Sequence, residues 1–554
     1  MPKTKKKSKK KSRRSKQDTN SQTPALSKKE LKAKKRKAAK QRKEFIQAFI
    51  TTGSIGAILG LILFFLKDPK LAIAGGGGII VLALSYKYPL QALWGFIIYM
   101  PFAGTITYWI GGGNALFQLA KDGFYIPAMI AMFQGLKRRK QPWILPKNLK
   151  TPLTILLITG LATLLFVNGA QQFSSKPRGQ PILMGILGLK VLLGYVPLIT
   201  CTYHLLKGKR EFLLFVRTHI VLVVVCCALG VMQYMMLKTG RCQGTDHLLG
   251  EDLFKPTLEA KCLVGGSLVY SPSQSMIRLP GTLVAPWQWA WFLIGNIFFT
   301  FASAFNDPSF KWKAISFFGM ALVFVNAVIS GQRIALLLVP LLTIILLVAT
   351  GKVTKLKQFL PIAGGIAVLI VGATILFPAI IQERIDSTVG RWNASPPTAF
   401  IAHQVEFTSK ESGGLLGNGV GRATNSARVF GQGKLIETYY PKLFYELGPI
   451  GVLAFLACVT AITISTFKAY RSVKDSSLRG YGSAFWVFIV FISYQTYYYP
   501  LDVDPVAVYY WMVAGAILKL PEIEKQELEK NRNRPEAFPE SSKKRRKKRK
   551  LSRV

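Results

Sequence analysis

The chain has 554 residues, half of them hydrophobic, yet 73 Lys and Arg stand against 26 Asp and Glu for a formal charge of +47. Its apolar half falls in runs about as long as the roughly 20 residues that cross a bilayer core, which excludes a soluble nucleic-acid binder. With 6 Cys, 4 His and no Cys/His cluster at metal-ligand spacing, neither a metal nor another cofactor is expected.

Residues 1–44 form a basic cytoplasmic tail of 20 Lys/Arg and 3 acids, expected to be disordered apart from a basic helix near Leu31–Phe45. Apolar spans are then predicted at 45–66, 70–86, 89–108, 115–136, 152–169, 182–206, 212–237, 284–305, 312–330, 333–350, 358–380, 442–467, 481–499 and 504–519, fourteen in all and twelve at the fewest. Only helices or closed barrels satisfy their backbone in hydrocarbon, and long apolar runs without alternation mean helices. The fold class is therefore an all-α polytopic membrane protein. It divides into a bundle over 45–380 with an outer loop at 238–283, a large extracytoplasmic loop at 381–441, C-terminal helices over 442–519, and a basic tail over 520–554. No cleavable signal peptide is expected, because the first apolar run follows 44 polar residues.

Orientation follows from Lys/Arg bias in the short loops. With a cytoplasmic N-terminus the inner loops carry 19 Lys/Arg and the short outer loops 4, which places both tails inside and the segments 238–283 and 381–441 outside. The runs Lys5–Lys7, Lys34–Lys37 and Lys543–Lys550 lack stacking aromatics. Attraction to anionic lipid at roughly 1 kcal/mol per charge explains them better than nucleic acid does. A cytoplasmic protein partner is the second reading. Cys242 and Cys262 share one outer loop, where a disulfide can form.

Three constellations fall on the outer side. Arg278-Leu279-Pro280-Gly281-Thr282 precedes Ala285-Pro286-Trp287 at the entrance to one span. Ser330-Gly331-Gln332-Arg333 makes a tight turn between two others. The 380–441 segment carries Arg391, His403, Arg422 and Glu437 with the glycine run Gly413–Gly421, and leads into Glu446-Leu447-Gly448. A single boundary arginine can simply snorkel. Several on one face make an anion site, because a guanidinium suits bidentate binding of phosphate. Lys190, about a third of the way into a span, either lines a cavity or packs against a carboxylate such as Asp122.

These motifs resemble the O-antigen ligase and O-antigen polymerase superfamily of membrane glycosyltransferases over roughly 275–460. The Arg278–Thr282 run is similar to its arginine–glycine–threonine–proline segment, and Ser330–Arg333 to its serine–x–x–arginine hairpin. Leu415–Gly421, followed by Tyr440, Glu446-Leu447-Gly448 and Gly451, resembles its large periplasmic loop and the next helix. The basic tails belong to no hallmark of that family; they resemble those of cyanobacterial hormogonium-polysaccharide proteins. The resemblance implies a metal-independent enzyme of the bacterial inner membrane that moves a glycan from a polyprenyl-diphosphate carrier to an acceptor hydroxyl. Arg278 and Arg333, supplemented by Arg391 and Arg422, would then hold the leaving diphosphate. Where ligases place a histidine, eleven residues before the glycine of Glu-Leu-Gly, this chain has Glu437. That substitution makes Glu437 the first choice of base, with His403 second, and favours polymerase over ligase. A lipid-linked oligosaccharide flippase is the competing class, though no repeat relates the halves.

Overall fold

The computed structural model describes residues 28–533 apart from 67–68, 178, 255, 273–275, 354–363 and 365–377. Most of the predicted span at 358–380 and most of both basic tails therefore lie outside the described residues. In chain order the helices are α1 (Lys28–Leu66), α2 (Pro69–Lys87), α3 (Pro89–Tyr99), α4 (Ala120–Arg138), α5 (Lys147–Ala162), α6 (Gly169–Gln172), α7 (Pro181–Leu193), α8 (Leu198–Leu205) and α9 (Lys209–Lys238). They continue with α10 (Pro286–Asn306), α11 (Phe310–Ile329), α12 (Arg333–Ala349), α13 (Pro378–Ala394), α14 (Pro397–Lys410), α15 (Tyr439–Ser472), α16 (Ser476–Tyr494) and α17 (Val506–Arg532). A ribbon of β1 (Val269–Ser271) and β2 (Met276–Arg278) lies between α9 and α10.

Six helices among the described residues are long and apolar enough to cross a membrane, or seven if α7 and α8 count as one span. The architecture is thus all-α with several membrane-crossing candidates. The predicted span at 182–206 is broken: α7 and α8 meet at 41°. Gly194 and Pro197 stand in the break, and proline supplies no N–H to carry a helix through. Segment 381–441 is not a plain loop either. It contains most of α13 and all of α14, the latter with proline in its first turn, where the missing N–H costs nothing.

The core runs around α10 and α17. Trp289, Phe292, Phe298 and Phe299 of α10 are fully buried, and α10 packs on α9, α11, α12, α16 and α17. A helix buried on all sides needs no polar stripe. In α17, 83% of the apolar window is buried, against 6% in α1. The last helix is therefore interior and the first peripheral.

The connections gather at two ends. At one end the Gly104 N–H donates to the Thr282 carbonyl at 3.1 Å, and the Leu279 N–H to that of Ser330 at 3.0 Å. There too the Gln180 N–H meets the Phe430 carbonyl at 2.7 Å. The outer-side segments around 180, 280, 330 and 430 join at this loop end. At the opposite end Arg217 grips Asp307 through Nε at 2.9 Å and Nη2 at 2.8 Å, and the Ser477 hydroxyl donates to the Asn306 carbonyl at 2.6 Å.

Asp475 caps α16 at that opposite end. It accepts the Ser477 and Leu478 N–H groups at 2.9 Å each and pairs with Lys209 at 3.1 Å. Burial pushes its carboxyl upward, but these donors and Lys209 outweigh it and hold the pKa below the ordinary value. A depressed carboxyl stabilises the fold above its unfolded pKa and loses that contribution as pH falls through the folded value. Asp475→Ala is expected to cost about 1 kcal/mol, the usual worth of a cap. Thermal unfolding in detergent should show this difference at neutral pH, and show it vanishing below the folded-state pKa.

Candidate functional site

The loop before α10 is held rigidly. Cys242 and Cys262 form a disulfide. The Gln233 amide of α9 donates to the carbonyls of Cys262 at 3.1 Å and Gly281 at 3.2 Å, and accepts the Gly281 N–H at 3.1 Å. Leu279 is buried with Cys262 and Leu268, and the Thr282 hydroxyl donates to the Pro101 carbonyl. The neighbours of Arg278 thus act as anchors, and the ribbon fixes Arg278 opposite Val269.

The Ser330–Arg333 turn packs directly on this ribbon. The Ser330 hydroxyl accepts the Gln332 N–H at 3.3 Å, closing the turn. Gly331 has φ 70°, and a Cβ there would stand 3.2 Å from the Ile277 carbonyl oxygen and 3.3 Å from Arg278 Cγ. Only glycine suits that backbone and that closeness. Arg333 opens α12, so both guanidinium groups issue from one junction. Burial, and then the Arg333 charge, push the Arg278 pKa below its ordinary value, while Tyr498 and Glu437 pull it back. A guanidinium stays protonated regardless, so the cost of desolvating it remains. Arg278 Nε and Gln332 Nε2 are buried with no hydrogen-bond partner, as is Thr438 Oγ1 beside Glu437. Buried donors of this kind are rare and call for an acceptor.

Glu437 is half-buried, and its N–H donates to Gln404 Oε1 at 3.1 Å. Thr438 bridges to Tyr497 and Tyr498, and the Tyr439 N–H donates to the Thr496 carbonyl at 2.8 Å. This pairing brings the linker between α16 and α17 against the end of the 381–441 segment. Tyr498 has φ 62°, a left-handed backbone costing a bulky residue about 1–3 kcal/mol. Strain of that kind clusters at working sites. Arg278, Arg333, Glu437 and Tyr498 therefore share one electrostatic neighbourhood.

The other predicted residues are placed elsewhere. Arg391 belongs to α13, but its side chain is outside the described ones. His403 is exposed on α14, where Glu406 feels its charge, and it is the adjacent Gln404 that reaches Glu437. Arg422 lines a cavity that includes none of Arg278, Arg333 and Glu437. Lys190 pairs with Asp122 at 2.9 Å and lies 5.1 Å from the Tyr195 ring centre, beside a second pair of Lys121 with Asp504. Of its two sequence readings, the helix-packing one describes this geometry.

The glycine run is a clip. Pro449 has no N–H for the Tyr445 carbonyl four residues earlier, and Gly448 leaves the helix at φ 70°. The Asn418 N–H takes the Tyr445 carbonyl at 2.7 Å, and the Gly419 N–H that of Glu446 at 3.3 Å. Asn168 holds Val420 from the other side, accepting its N–H at 2.9 Å and donating to its carbonyl at 3.0 Å. The buried Glu446 carboxylate accepts the Ala423 N–H at 2.7 Å and the Thr424 hydroxyl at 3.0 Å. These N–H groups are already used within the chain, so the run is no phosphate cradle.

Among the described residues, no three His, Cys, Asp or Glu are grouped to hold a metal ion. No protein-family model matches the chain, and no curated protein matches it.

The Lys190–Asp122 pair yields a direct test of its packing role. Asp122→Asn strands a partly buried lysine and should destabilise the protein by about 1–3 kcal/mol. Adding Lys190→Met should restore most of the loss, read as thermal stability of the detergent-solubilised protein.

Proposed function

We propose that this protein is a glycosyltransferase, of polymerase rather than ligase type, acting on a polyprenyl-diphosphate-linked glycan at the outer face of the bacterial inner membrane. In this reading the bundle has twelve to fourteen spans, both basic tails face the cytoplasm against anionic lipid, and the loop end faces outward. The observation that carries it is the pair of buried donors without acceptors, Arg278 Nε and Gln332 Nε2, set beside Arg333 with Glu437 next to them.

The reaction fits those groups. The acceptor oxygen attacks the anomeric carbon as the bond from that carbon to the diphosphate oxygen breaks. The acceptor proton passes to the Glu437 carboxylate, the role of a general base. Negative charge grows on the departing polyprenyl diphosphate, where Arg278 and Arg333 hold it by preorganised electrostatics. The resemblance to the O-antigen ligase and polymerase superfamily supports the same donor and the same absence of a metal. Tyr498, beside Arg278, is positioned to orient the guanidinium. Arg422 takes no part in the diphosphate site because it faces another cavity.

Arg278→Ala, Arg333→Ala and Glu437→Gln, each with insertion confirmed, are expected to lower chain extension by about 100-fold or more, as loss of one charge-stabilising group does. Long polymer should disappear while lipid-linked repeat units collect on the outer leaflet. Collection on the inner leaflet would instead support a flippase, and unchanged polymer length in all three variants would sink the site.

A further inference from the structure

The helix α13, Pro378–Ala394, joins the predicted span at 358–380 to α14. Its large apolar side chains among the described ones, Ile385, Val389 and Trp392, are 51%, 52% and 56% exposed. They stand at i, i+4 and i+7, so the helical period puts all three on one face. Asp386 and Asn393, also exposed, fall about a quarter-turn to one side of that stripe. Asp386 accepts the Gln382 amide there at 2.9 Å. Among the described residues nothing covers the stripe, and apolar area left in water is unfavourable.

The sequence on the N-terminal side indicates what covers it. No charged residue lies between Lys357 and Glu383, so the apolar run reaches into the first turn of α13. Taken as a membrane crossing, that run delivers α13 at the bilayer surface. Pro378 supplies no N–H to carry a helix straight through from the run, which favours a change of direction there. At the far end Pro396 and Pro397 separate α13 from α14. The helix carries two acids, Glu383 and Asp386, and two arginines, Arg384 and Arg391, so net charge does not select its partner. A one-sided apolar stripe with a tryptophan in it, on a helix otherwise polar, is the pattern of helices that lie among lipid headgroups.

We propose that α13 is an in-plane membrane helix, with its Ile385–Val389–Trp392 face set into the lipid leaflet at the loop end. The partner is the bilayer itself, met through apolar contact at the boundary of headgroups and acyl chains rather than through headgroup charge. α13 then tethers α14, whose Gln404 accepts the Glu437 N–H at 3.1 Å and whose Phe400 ring lies 5.6 Å from that of Tyr497. The tether keeps Glu437 close to the membrane surface, where the headgroup of a lipid-linked donor sits. This last consequence rests on the proposed transferase activity; the membrane contact does not.

Spin labelling of the full chain in nanodiscs tests the contact. Ile385→Cys, Val389→Cys and Trp392→Cys report on the stripe, and Asp386→Cys and Asn393→Cys on its flank. The unsubstituted chain measures background, since Cys201, Cys226, Cys227 and Cys458 are buried and Cys242 is bonded to Cys262. Collision with oxygen, which concentrates in lipid, and with a water-soluble nickel chelate gives the depth of each label. The stripe labels are expected roughly 5–10 Å into the headgroup–acyl boundary, and the flank labels shallower and more open to nickel. Those depths should be equal in zwitterionic and anionic nanodiscs and unmoved by salt. Adding Ile385→Asp/Val389→Asp should bring the label at Trp392→Cys out into water.

Stripe labels as open to nickel as the flank labels would leave α13 in water and overturn the proposal. Stripe labels shielded from both reagents would overturn it by showing protein over the face. A depth lost in salt or in zwitterionic lipid would overturn its apolar basis. Depth needs no turnover, so this reading and the transferase fail separately. Lipid-buried labels with polymer retained in Arg278→Ala, Arg333→Ala and Glu437→Gln remove only the transferase site. Water-exposed labels with polymer lost in those variants remove only the membrane helix.

Discussion

One helix break organises the loop end. At Pro449 the helix α15 lacks a donor for the Tyr445 carbonyl, and at Gly448 the backbone turns out of helical geometry. A carbonyl left unsatisfied in a buried place costs about 1–3 kcal/mol, so something must fill it. The Asn418 N–H fills it, brought close because Gly417 beside it has no Cβ, which would stand 2.6 Å from the Glu446 carbonyl carbon. From that junction the contacts spread: Glu446 fixes residues 423–424, Asn168 fixes residue 420, and Gln171 fixes Arg422. The wall that carries Asn418 and Arg422 is therefore tied to this one break.

Charge is divided between two uses. Lys190 with Asp122, Lys121 with Asp504, and Lys442 with Asp502 are buried among helices and meet opposite partners from other elements. Pairs of that kind fix which helix lies against which, because a wrong neighbour would leave a charge alone in a low dielectric. Arg278 is treated differently. The Arg333 charge acts against it while Tyr498 and Glu437 favour it, and its Nε meets no acceptor. A buried donor with no acceptor in the chain makes sense where a ligand brings one.

Helix positions were legible in the sequence because apolar runs and their proline or glycine borders mark them. How many of the runs cross a membrane was less legible. In α10, tryptophans and amides dilute the apolarity of a helix that is wholly interior, and in α7–α8 a glycine and a proline break one run in two. The motifs around Arg278 and Ser330 could be read as turns carrying arginine, and their mutual packing accords with that reading. Asn168, Gln171 and Gln404 left no trace, because a single amide has no period or spacing to betray it. The left-handed backbone of Tyr498 was equally hidden, since a bulky residue gives no local reason to adopt it. For Lys190, sequence could name two uses but not choose between them, because the choice depends on Asp122 arriving from a helix about 70 residues earlier.

The interior place of α17 bears on how the protein is made. The helix follows in sequence every helix it packs against, and the short linker before it brings Asp502 and Asp504. Lys121 and Lys442 must therefore enter the membrane well before their partners are synthesised. Until that linker and α17 arrive, Lys442 has only Glu446 of its own helix, 3.8 Å away, and Lys121 only its neighbour Asp122. Assembly is thus completed from the inside by a late helix, and a nascent chain halted before Asp502 lacks the closer partners of both lysines.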